Sequence, residues 1–449
     1  MRLGTARRLV YILGSALLAL LVGFAPLTAQ ESIRPPSAAA EAKRNFGHLL
    51  DKVADTINEH FWDKQRLSEV EWTKLVDAAR KDIVDAPDID TAAQRINALL
   101  ANLRMSHTGF LTPDDVDYYV LLSVFGGAGM PPQEFNDRFW GANVTYPGIG
   151  HFAVRLDGRD FVDLLLEGSP ADRAGLKVGD EIVAVDGATH HQIRSFRGKV
   201  GHTVQVTVRR TRDGPVETMP VKVMSIAPLH AFREATNASA RTIERDGRRI
   251  GYVHVWDSVG EESGNALQGA LSKLGVNSSG ERPRRGKRDE DGAQPLDGLI
   301  IDMRGKIGGT ATTAARYLNI IDPRGPLMES RNQSRRSTSV RGRTAVLIDQ
   351  HTRSTGELFV HAYKRERQGP LIGTPTAGAV SAARAFAMPG GNLLYVAVSG
   401  LKVDGDVLEG PGVAPDIEVQ RPLPYSQGAD PVLARAVEFL ATKASSANQ

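Results

Sequence analysis

A serine stands where a buried strand is expected to end and a helix to begin. Residues 345–348 form the apolar run Ala-Val-Leu-Ile, which predicts a buried strand, and a helical pattern begins near Ser354. A serine at a strand-to-helix turn exposes its hydroxyl beside the N–H groups of the helix N-terminus, an arrangement that suits nucleophilic catalysis. Capping of the helix by the same hydroxyl is the alternative role for Ser354.

The composition excludes several other chemistries. The chain has 449 residues and no cysteine, which removes disulfides, Cys-ligated zinc, iron–sulfur clusters and thiol nucleophiles. Any reaction must therefore use oxygen and nitrogen side chains. The 55 Lys and Arg residues and the 52 Asp and Glu residues give a net charge of only +3. Because this excess of positive charge is small, no nucleic-acid partner is expected. We also expect no metal and no cofactor.

Three segments of different pattern must position this chemistry. Residues 38–115 repeat apolar side chains at spacings of three and four, which predicts an N-terminal helical region. Residues 135–225 indicate short strands joined by turns, and residues 226–440 alternate apolar strands with helical patterns, as in an α/β layer. Residues 277–295 carry both charge signs and little apolar content, which predicts a solvated insertion in the third segment.

The middle segment contains an ordered series of turn and strand signals. Gly-Ser-Pro-Ala at 168–171 predicts a turn and a short helix, which Gly175 ends. Gly-Asp-Glu at 179–181 precedes an apolar strand, and Val-Asp-Gly at 185–187 forms the next turn. This series resembles a PDZ domain.

The third segment carries motifs that match a known enzyme family. Residues 299–309 read Leu-Ile-Ile-Asp-Met-Arg-Gly-Lys-Ile-Gly-Gly, residues 373–378 read Gly-Thr-Pro-Thr-Ala-Gly, and residues 408–419 begin Leu-Glu-Gly-Pro-Gly. With Ser354 and the PDZ-like segment, they resemble the tail-specific, or C-terminal processing, serine protease family from about Phe46 to Val419. The resemblance implies a multidomain α/β protein with an N-terminal helical segment, a PDZ-like β domain and a protease core.

The family has two catalytic styles, and the sequence distinguishes between them. In one style a lysine about twenty-five residues after the serine is the general base, but Ala379 occupies that position and cannot accept a proton. The other style resembles tricorn protease, which pairs a Ser-His dipeptide of the helical segment with a late glutamate. Ser106-His107 and Glu409 match those positions.

The resemblance then implies a role for each residue. His107 would take the proton of Ser354, Ser106 would hold the imidazole ring, and Glu409 would polarise Ser106 and favour the imidazolium. Adjacent side chains of an extended strand point to opposite faces, so Ser106 and His107 must lie in a turn to interact.

Backbone N–H groups would complete the implied site. One donor to the oxyanion would come from Gly308 or Gly309, which the sequence does not distinguish, and the other from Thr355. A bare glycine backbone permits close approach of the substrate.

The PDZ-like segment predicts how substrates are selected. Such domains bind a free peptide C-terminus by strand addition, and Gly148-Ile149-Gly150-His151 matches the loop that holds the carboxylate. The predicted function is thus a serine endopeptidase acting on protein or peptide substrates that it recognises by their C-terminal tails. Two alternatives stay open: a structural or autoregulatory PDZ domain, and an inactive adaptor that keeps the protease-like fold.

The N-terminus indicates export. Residues 1–30 combine basic positions, an apolar run and small residues, which predicts a signal peptide or an N-terminal anchor. We expect a periplasmic or cell-envelope protein whose membrane contact, if any, uses this segment alone.

Overall fold

A computed structural model describes residues 46–127, 144–276, 296–305, 307–321, 343–403 and 405–442. The expected leader at 1–30 and the expected insertion at 277–295 lie outside these residues. Within the described ranges, no helix combines the length and hydrophobicity needed to cross a bilayer.

The N-terminal region begins as a cluster of amphipathic helices. Their bounds are α1 Phe46–His60, α2 Lys64–Glu69, α3 Trp72–Val84 and α4 Ile89–Leu100. Their apolar stripes pack together, and the buried side chains include Leu50, Ile57 and Ile96. The same cluster contains Phe110 and Leu394, so the helices also cover a small sheet.

That small sheet joins the N-terminal region to the end of the core. It consists of strand β1 (Gly109–Leu111), which pairs antiparallel with β15 (Asn392–Ser399), which in turn pairs with β14 (Ala382–Met388). Helix α5 (Val116–Gly127) follows β1. Asn97 of α4 fixes β1, because its side chain accepts a hydrogen bond from the Phe110 N–H at 2.7 Å and donates to the Phe110 carbonyl at 2.8 Å.

The middle segment is a β domain. Strand β2 (Tyr146–Gly148) pairs with β8 (Met224–Ile226), and a short helix α6 spans Pro170–Arg173. The remaining strands form a sheet of order β3-β4-β5-β6-β7 with β3 at its edge. Their bounds are β3 His151–Leu156, β4 Arg159–Leu165, β5 Glu181–Val185, β6 Thr203–Arg209 and β7 Val216–Lys222.

The third segment is a mostly parallel sheet with helices on both faces. The strand order is β16-β13-β12-β11-β10-β9, and all neighbours are parallel except the edge strand β9. The strands are β9 Arg241–Arg245, β10 Arg248–His254, β11 Gly298–Asp302, β12 Arg343–Ile348, β13 Leu371–Gly373 and β16 Ile417–Glu418. The helices are α7 Pro228–Ser239, α8 Gly260–Lys273, α9 Ala311–Ile321, α10 Thr355–Arg365 and α11 Pro431–Ala441.

Alternation along the central strands explains the two covered faces. Leu299 and Ile301 of β11 pack in one apolar cluster with residues of α8, α9 and α10, whereas Ile300 packs in another with α11. Successive side chains of a strand point to opposite faces, so a continuous apolar run is what a doubly covered sheet requires. The predicted α/β class with a separate β domain and an N-terminal helical region is confirmed.

Candidate active site

Ser354 lies in a sharp turn at the carboxyl end of β12. Asp349 builds the turn, because its Oδ1 accepts hydrogen bonds from the N–H groups of His351 at 2.9 Å and Thr352 at 3.1 Å. The Thr352 hydroxyl ties the turn to β11 through the Met303 carbonyl at 2.9 Å. Ser354 therefore sits at the edge where open α/β sheets bind ligands.

The backbone of Ser354 is strained. Its φ of 56° and ψ of −124° lie outside the regions that residues with a Cβ usually adopt, at a cost of about 1–3 kcal/mol. Two contacts hold this conformation: the Ser354 N–H donates to the Ala379 carbonyl at 2.7 Å, and the Ser354 carbonyl accepts the Glu357 N–H at 2.8 Å. A strained serine between a strand and a helix is the geometry of a nucleophile elbow.

Ala379, the residue at the position expected for a lysine base, contacts Ser354. Its side chain is buried and its carbonyl faces the Ser354 backbone. Ala379 therefore lies next to Ser354, and its methyl side chain cannot act as a base.

Gly308 packs directly against Ser354. A Cβ built on Gly308 would lie 2.8 Å from the Ser354 Cβ and 3.1 Å from its Oγ, and the φ of Gly308 is +102°. No larger residue fits there without moving the serine. β11 and β12 are neighbouring parallel strands, and their carboxyl ends bring these two loops together.

Ser258 fixes the orientation of the glycine loop. The Gly308 carbonyl accepts hydrogen bonds from the Ser258 N–H at 2.9 Å and from its hydroxyl at 3.0 Å. A trans peptide unit points its N–H opposite to its C=O, so the Gly309 N–H is directed away from Ser258. The Ser258 hydroxyl also lies 2.6 Å from the Thr355 Oγ1. One side chain therefore joins the loops that carry Gly308, Gly309 and Thr355.

Ser106 and His107 occupy a turn between α4 and β1. The Ser106 Oγ lies 2.9 Å from the His107 Nδ1, so the adjacent side chains meet as the turn hypothesis requires. The His107 ring is buried, and its centroid lies 5.4 Å from that of Tyr395 on β15. Pairing of β1 with β15 therefore places the imidazole against the core.

Burial and a nearby charge set the protonation of His107. Burial lowers its pKa, the Arg353 guanidinium lowers it further, and Glu409 opposes both, so that the pKa is about 4. The ring is neutral at physiological pH and can accept a proton.

Glu409 links the turn that carries His107 to the segment that contacts Ser354. Its Oε1 accepts the Ser106 N–H at 3.1 Å, and its Oε2 accepts the N–H groups of Val380 and Ser381, each at 3.0 Å. Burial alone would raise the pKa of Glu409, but hydrogen bonds from Ser106, Val380 and Ser381 outweigh it and hold the pKa below its usual value. Glu409 is therefore an anion at neutral pH.

A second carboxylate, Glu357, binds the same segment from the other side. It is fully buried and accepts hydrogen bonds from the Thr376 hydroxyl at 2.5 Å and from the N–H groups of Gly378 at 2.8 Å and Ala379 at 2.6 Å. Burial raises its pKa against the opposing effect of these bonds. The backbone N–H groups of residues 378–381 are thus shared between Glu357 and Glu409.

These contacts bring three remote parts of the sequence together. Ser106 bonds to Glu409, Glu409 bonds to Val380, and the preceding Ala379 bonds to Ser354. Among the described residues, no hydrogen bond joins His107 to Ser354.

The predicted carboxylate-binding loop lies in the β domain. Gly148 ends β2 and His151 begins β3, with Ile149 and Gly150 forming the connection. The carbonyls of Ile149 and Gly150 accept hydrogen bonds from Ala171 and Leu166, each at 2.9 Å. No hydrogen bond in the described part of the chain joins this loop to Ser354, His107 or Glu409.

Sequence reasoning missed Glu357, Ser258 and Arg353. The string Ser354-Thr-Gly-Glu357 has the spacing of a capping box, a signal that would have assigned Glu357 to the helix end. What that spacing does not reveal is that the carboxylate also binds the 376–379 segment. Ser258 and Arg353 carry no local signal, because their importance comes from neighbours distant in sequence.

Comparison with known families agrees with this architecture. Residues 249–419 match the description "Peptidase family S41", and residues 161–210 match "PDZ domain". The S41 match contains Gly308, Gly309, Ser354, Thr355 and Glu409, whereas Ser106 and His107 precede it.

Curated relatives are distant in sequence. The carboxy-terminal processing protease CtpA of Bacillus subtilis is 24% identical over 303 residues, which cover 63% of this chain and 59% of the relative. A protein of Streptomyces coelicolor named as a tricorn protease homolog is 26% identical over 410 residues, which cover 87% of this chain and 32% of that protein. The chain thus spans less than two thirds of the length of either relative.

Solved structures give similar matches. The photosystem II D1 C-terminal processing protease matches with a TM-score of 0.45 and 19% identity, covering 84% of this chain and 93% of that one. The tricorn protease matches with a TM-score of 0.46 and 18% identity, covering 88% of this chain and 36% of that one. The S41 match, the PDZ match and the relatives named carboxy-terminal processing proteases agree with the resemblance to the tail-specific, or C-terminal processing, serine protease family that the sequence predicts.

Proposed function

We propose that this chain is a serine endopeptidase in which Ser354 is the nucleophile and His107 the general base. The observation that carries the proposal is the continuous set of contacts from His107 through Ser106 and Glu409 to the segment that holds the strained Ser354. The burial of Ala379 against Ser354 supports histidine over lysine as the base.

Each step follows from the chemistry of these groups. The Ser354 Oγ attacks the carbonyl carbon of the scissile bond while the His107 Nε2 takes its proton. The imidazolium then gives that proton to the leaving amine, and an acyl-enzyme remains. Water attacks the acyl carbon with His107 again as base, which releases the new carboxyl terminus and restores Ser354.

Ser106 and Glu409 orient and stabilise the base. When the Nε2 of His107 accepts the proton, its Nδ1 carries a hydrogen that can be donated to the Ser106 Oγ. Ser106 in turn interacts with Glu409, whose negative charge favours the imidazolium formed during attack. This carboxylate acts through Ser106 and does not touch the substrate.

The oxyanion would be stabilised by backbone N–H groups of Gly309 and Thr355. The orientation of the Gly308 carbonyl toward Ser258 supports Gly309 rather than Gly308 as the first donor. The contact of Gly308 with Ser354 supports a position next to the reacting carbonyl for this loop.

The PDZ domain would select substrates by their C-terminal tails. The loop Gly148-Ile149-Gly150-His151 would hold the terminal carboxylate while the tail adds to β3. The names of the carboxy-terminal processing relatives support this choice. The test compares hydrolysis of one unstructured polypeptide with a free and with an amidated C-terminus: faster cleavage of the free acid is expected, and equal rates would contradict tail recognition.

Residues 1–30 would direct export to the periplasm or cell envelope. The basic start and apolar centre of this segment support the proposal. N-terminal sequencing of the protein from fractionated cells distinguishes a cleaved signal from a retained anchor, and recovery only from the cytoplasm would contradict export.

A fluorophosphonate probe tests the proposed activity most directly. We expect the full chain to be labelled at Ser354, as mapped by peptide mass spectrometry, and to hydrolyse unstructured proteins. Ser354→Ala should abolish both while leaving the circular dichroism spectrum unchanged. A folded wild-type chain that is neither labelled nor active would instead be the inactive PDZ adaptor.

A further inference from the structure

The edge of the β domain that would receive a peptide is already hydrogen-bonded. Strand β3 lies at the edge of its sheet, with β4 on one side only. On the other side, the His151 carbonyl accepts a hydrogen bond from the Gln192 Nε2 at 2.7 Å, and the Ala153 N–H donates to the Gln192 Oε1 at 3.1 Å. These are the backbone groups that an added strand would use.

The Gln192 side chain occupies a donor and an acceptor of the β3 backbone at the same time. A primary amide carries an acceptor oxygen and a donor NH2 group in one plane, so both can face the same strand. Its Nε2 donates to the His151 carbonyl and its Oε1 accepts the Ala153 N–H, two outward-facing backbone groups on residues two apart along the open edge of β3. One side chain thus occupies two backbone groups of β3 that an added strand would otherwise use.

Neighbouring residues hold Gln192 in place. On one side His190 is buried, with its Nε2 3.1 Å from the His151 Nε2 and its Nδ1 2.8 Å from the Asp160 Oδ2. On the other side Ile193 is 1% exposed and packs in the cluster that contains Trp256. The residues on both sides of Gln192 are therefore held by buried contacts.

The strand itself is anchored from behind. Phe152 of β3 stacks on Trp256 with ring centroids 5.9 Å apart, and also on Phe232 at 6.3 Å. Trp256 further donates through its Nε1 to Glu167 at 2.8 Å. Because β3 is fixed to the protease core, a peptide gains access when the segment bearing Gln192 moves and β3 stays.

We propose that Gln192 is an internal occupant of the tail-binding edge, which an extended peptide with a free C-terminal carboxylate must displace. This inference rests on the proposed tail recognition by the PDZ domain. The groove is then occupied until a tail competes for the His151 carbonyl and the Ala153 N–H. Apparent affinity for tails is lowered by the fraction of molecules in which Gln192 is bound.

Two substitutions test the two hydrogen bonds that Gln192 makes to β3. Gln192→Ala removes both bonds, and we expect tails to bind about tenfold tighter, which corresponds to about 1.4 kcal/mol. Gln192→Glu keeps the acceptor for Ala153 but loses the donor to His151, so a gain of about threefold is expected. Gln205→Ala, an exposed glutamine on β6 of the same domain, is the matched control and should not change affinity.

The experiment uses the full chain with Ser354→Ala, so that no probe is cleaved. The probe is a fluorescein-labelled decapeptide library randomised at its last four residues, prepared as free acids and as C-terminal amides. Fluorescence anisotropy measures the affinity of each variant, and amide hydrogen exchange measures protection of the Ala153 N–H. Loss of that protection in Gln192→Ala, together with tighter binding of the free acids, is the expected result.

Two other results overturn the proposal in distinguishable ways. If free-acid peptides bind equally to the Gln192 variants and the parent, tail recognition stands and Gln192 is not an occupant of the edge. If no variant binds free acids better than amides, the PDZ domain does not recognise tails, and both the occupant and the tail-recognition proposal fail. Labelling of wild-type Ser354 by the fluorophosphonate probe is independent of either outcome.

Discussion

The nucleophile side and the base side of the candidate site are built differently. Ser354, Glu357 and Ala379 come from one stretch of the α/β core, in which β12, α10, β13 and the next loop follow each other. Ser106 and His107 come from the N-terminal helical region and reach Glu409 across 303 residues of sequence. The residues around Ser354 are close in sequence, whereas the contact of Ser106 with Glu409 forms only when the N-terminal region packs on the core.

The two carboxylates show what this difference means. Glu357 is fully buried, and its carboxylate accepts hydrogen bonds from Thr376, Gly378 and Ala379, so it holds this segment against the Ser354 turn. Glu409 is half-buried and bonds both to residues 380–381 and to Ser106. Loss of Glu357 should therefore affect stability first, whereas loss of Glu409 should affect catalysis first.

Removing the base should give the largest effect. We expect His107→Ala to lower kcat/KM about 10⁶-fold, as removal of a catalytic base does in a serine protease. Hydrolysis of an unstructured protein measures the loss, and circular dichroism checks the fold. His191→Ala, an exposed histidine of the β domain, should retain full activity. A His107 variant with more than a tenth of wild-type activity would remove the base side from the mechanism.

Crowding the nucleophile should have the next largest effect. Gly308→Ala would put a Cβ 2.8 Å from that of Ser354 at a φ of +102°, and we expect kcat to fall about 10³-fold. Gly109→Ala on the base side is the matched control, because the added Cβ would lie 3.7 Å from the Asn97 Oδ1. Steady-state kinetics of both variants sharpen the comparison; equal losses would show that the nucleophile side is not the more tightly packed.

Substitution by glutamine should affect catalysis at Glu409 and stability at Glu357. Glu409→Gln should lower kcat about 10²-fold with little change in melting temperature, because the negative charge beside Ser106 is lost. Glu357→Gln should lower the free energy of unfolding by about 1–3 kcal/mol, because an amide donor then faces buried N–H groups. Parallel kinetics and denaturant unfolding distinguish them, and the reverse ranking would contradict the assignment.

The smallest expected effect is a shift in the pH dependence of kcat/KM. Activity requires neutral His107, so kcat/KM should be constant from about pH 6 to 8 and fall as pH drops through the His107 pKa of about 4. Arg353→Gln removes a positive charge that disfavours the imidazolium, so the pKa rises and the acidic limb moves to higher pH. Arg435→Gln on α11 should leave the limb in place. An unchanged limb in Arg353→Gln would place the guanidinium too far from His107 to matter.

Part of the site follows from local sequence. The strand 345–348 and the helix after Ser354 were predictable from apolar periodicity, because burial of a sheet on both faces demands such runs. The order of motifs also allowed Ala379 to be aligned with the position of a lysine base. Roles for Ser106, His107 and Glu409 stay predictions until activity is measured.

The remaining contacts depend on the folded chain. The amino-acid sequence shows which residue types are available: a serine at a strand end, a histidine after a helix, no cysteine and no lysine at position 379. It does not reveal that the Glu357 carboxylate binds the 376–379 segment, or that the Gln192 side chain bonds to the edge of β3. Buried backbone N–H and C=O groups need hydrogen-bond partners, and a polar side chain can supply them. Which side chain does so depends on the folded chain, because the partners are distant in sequence.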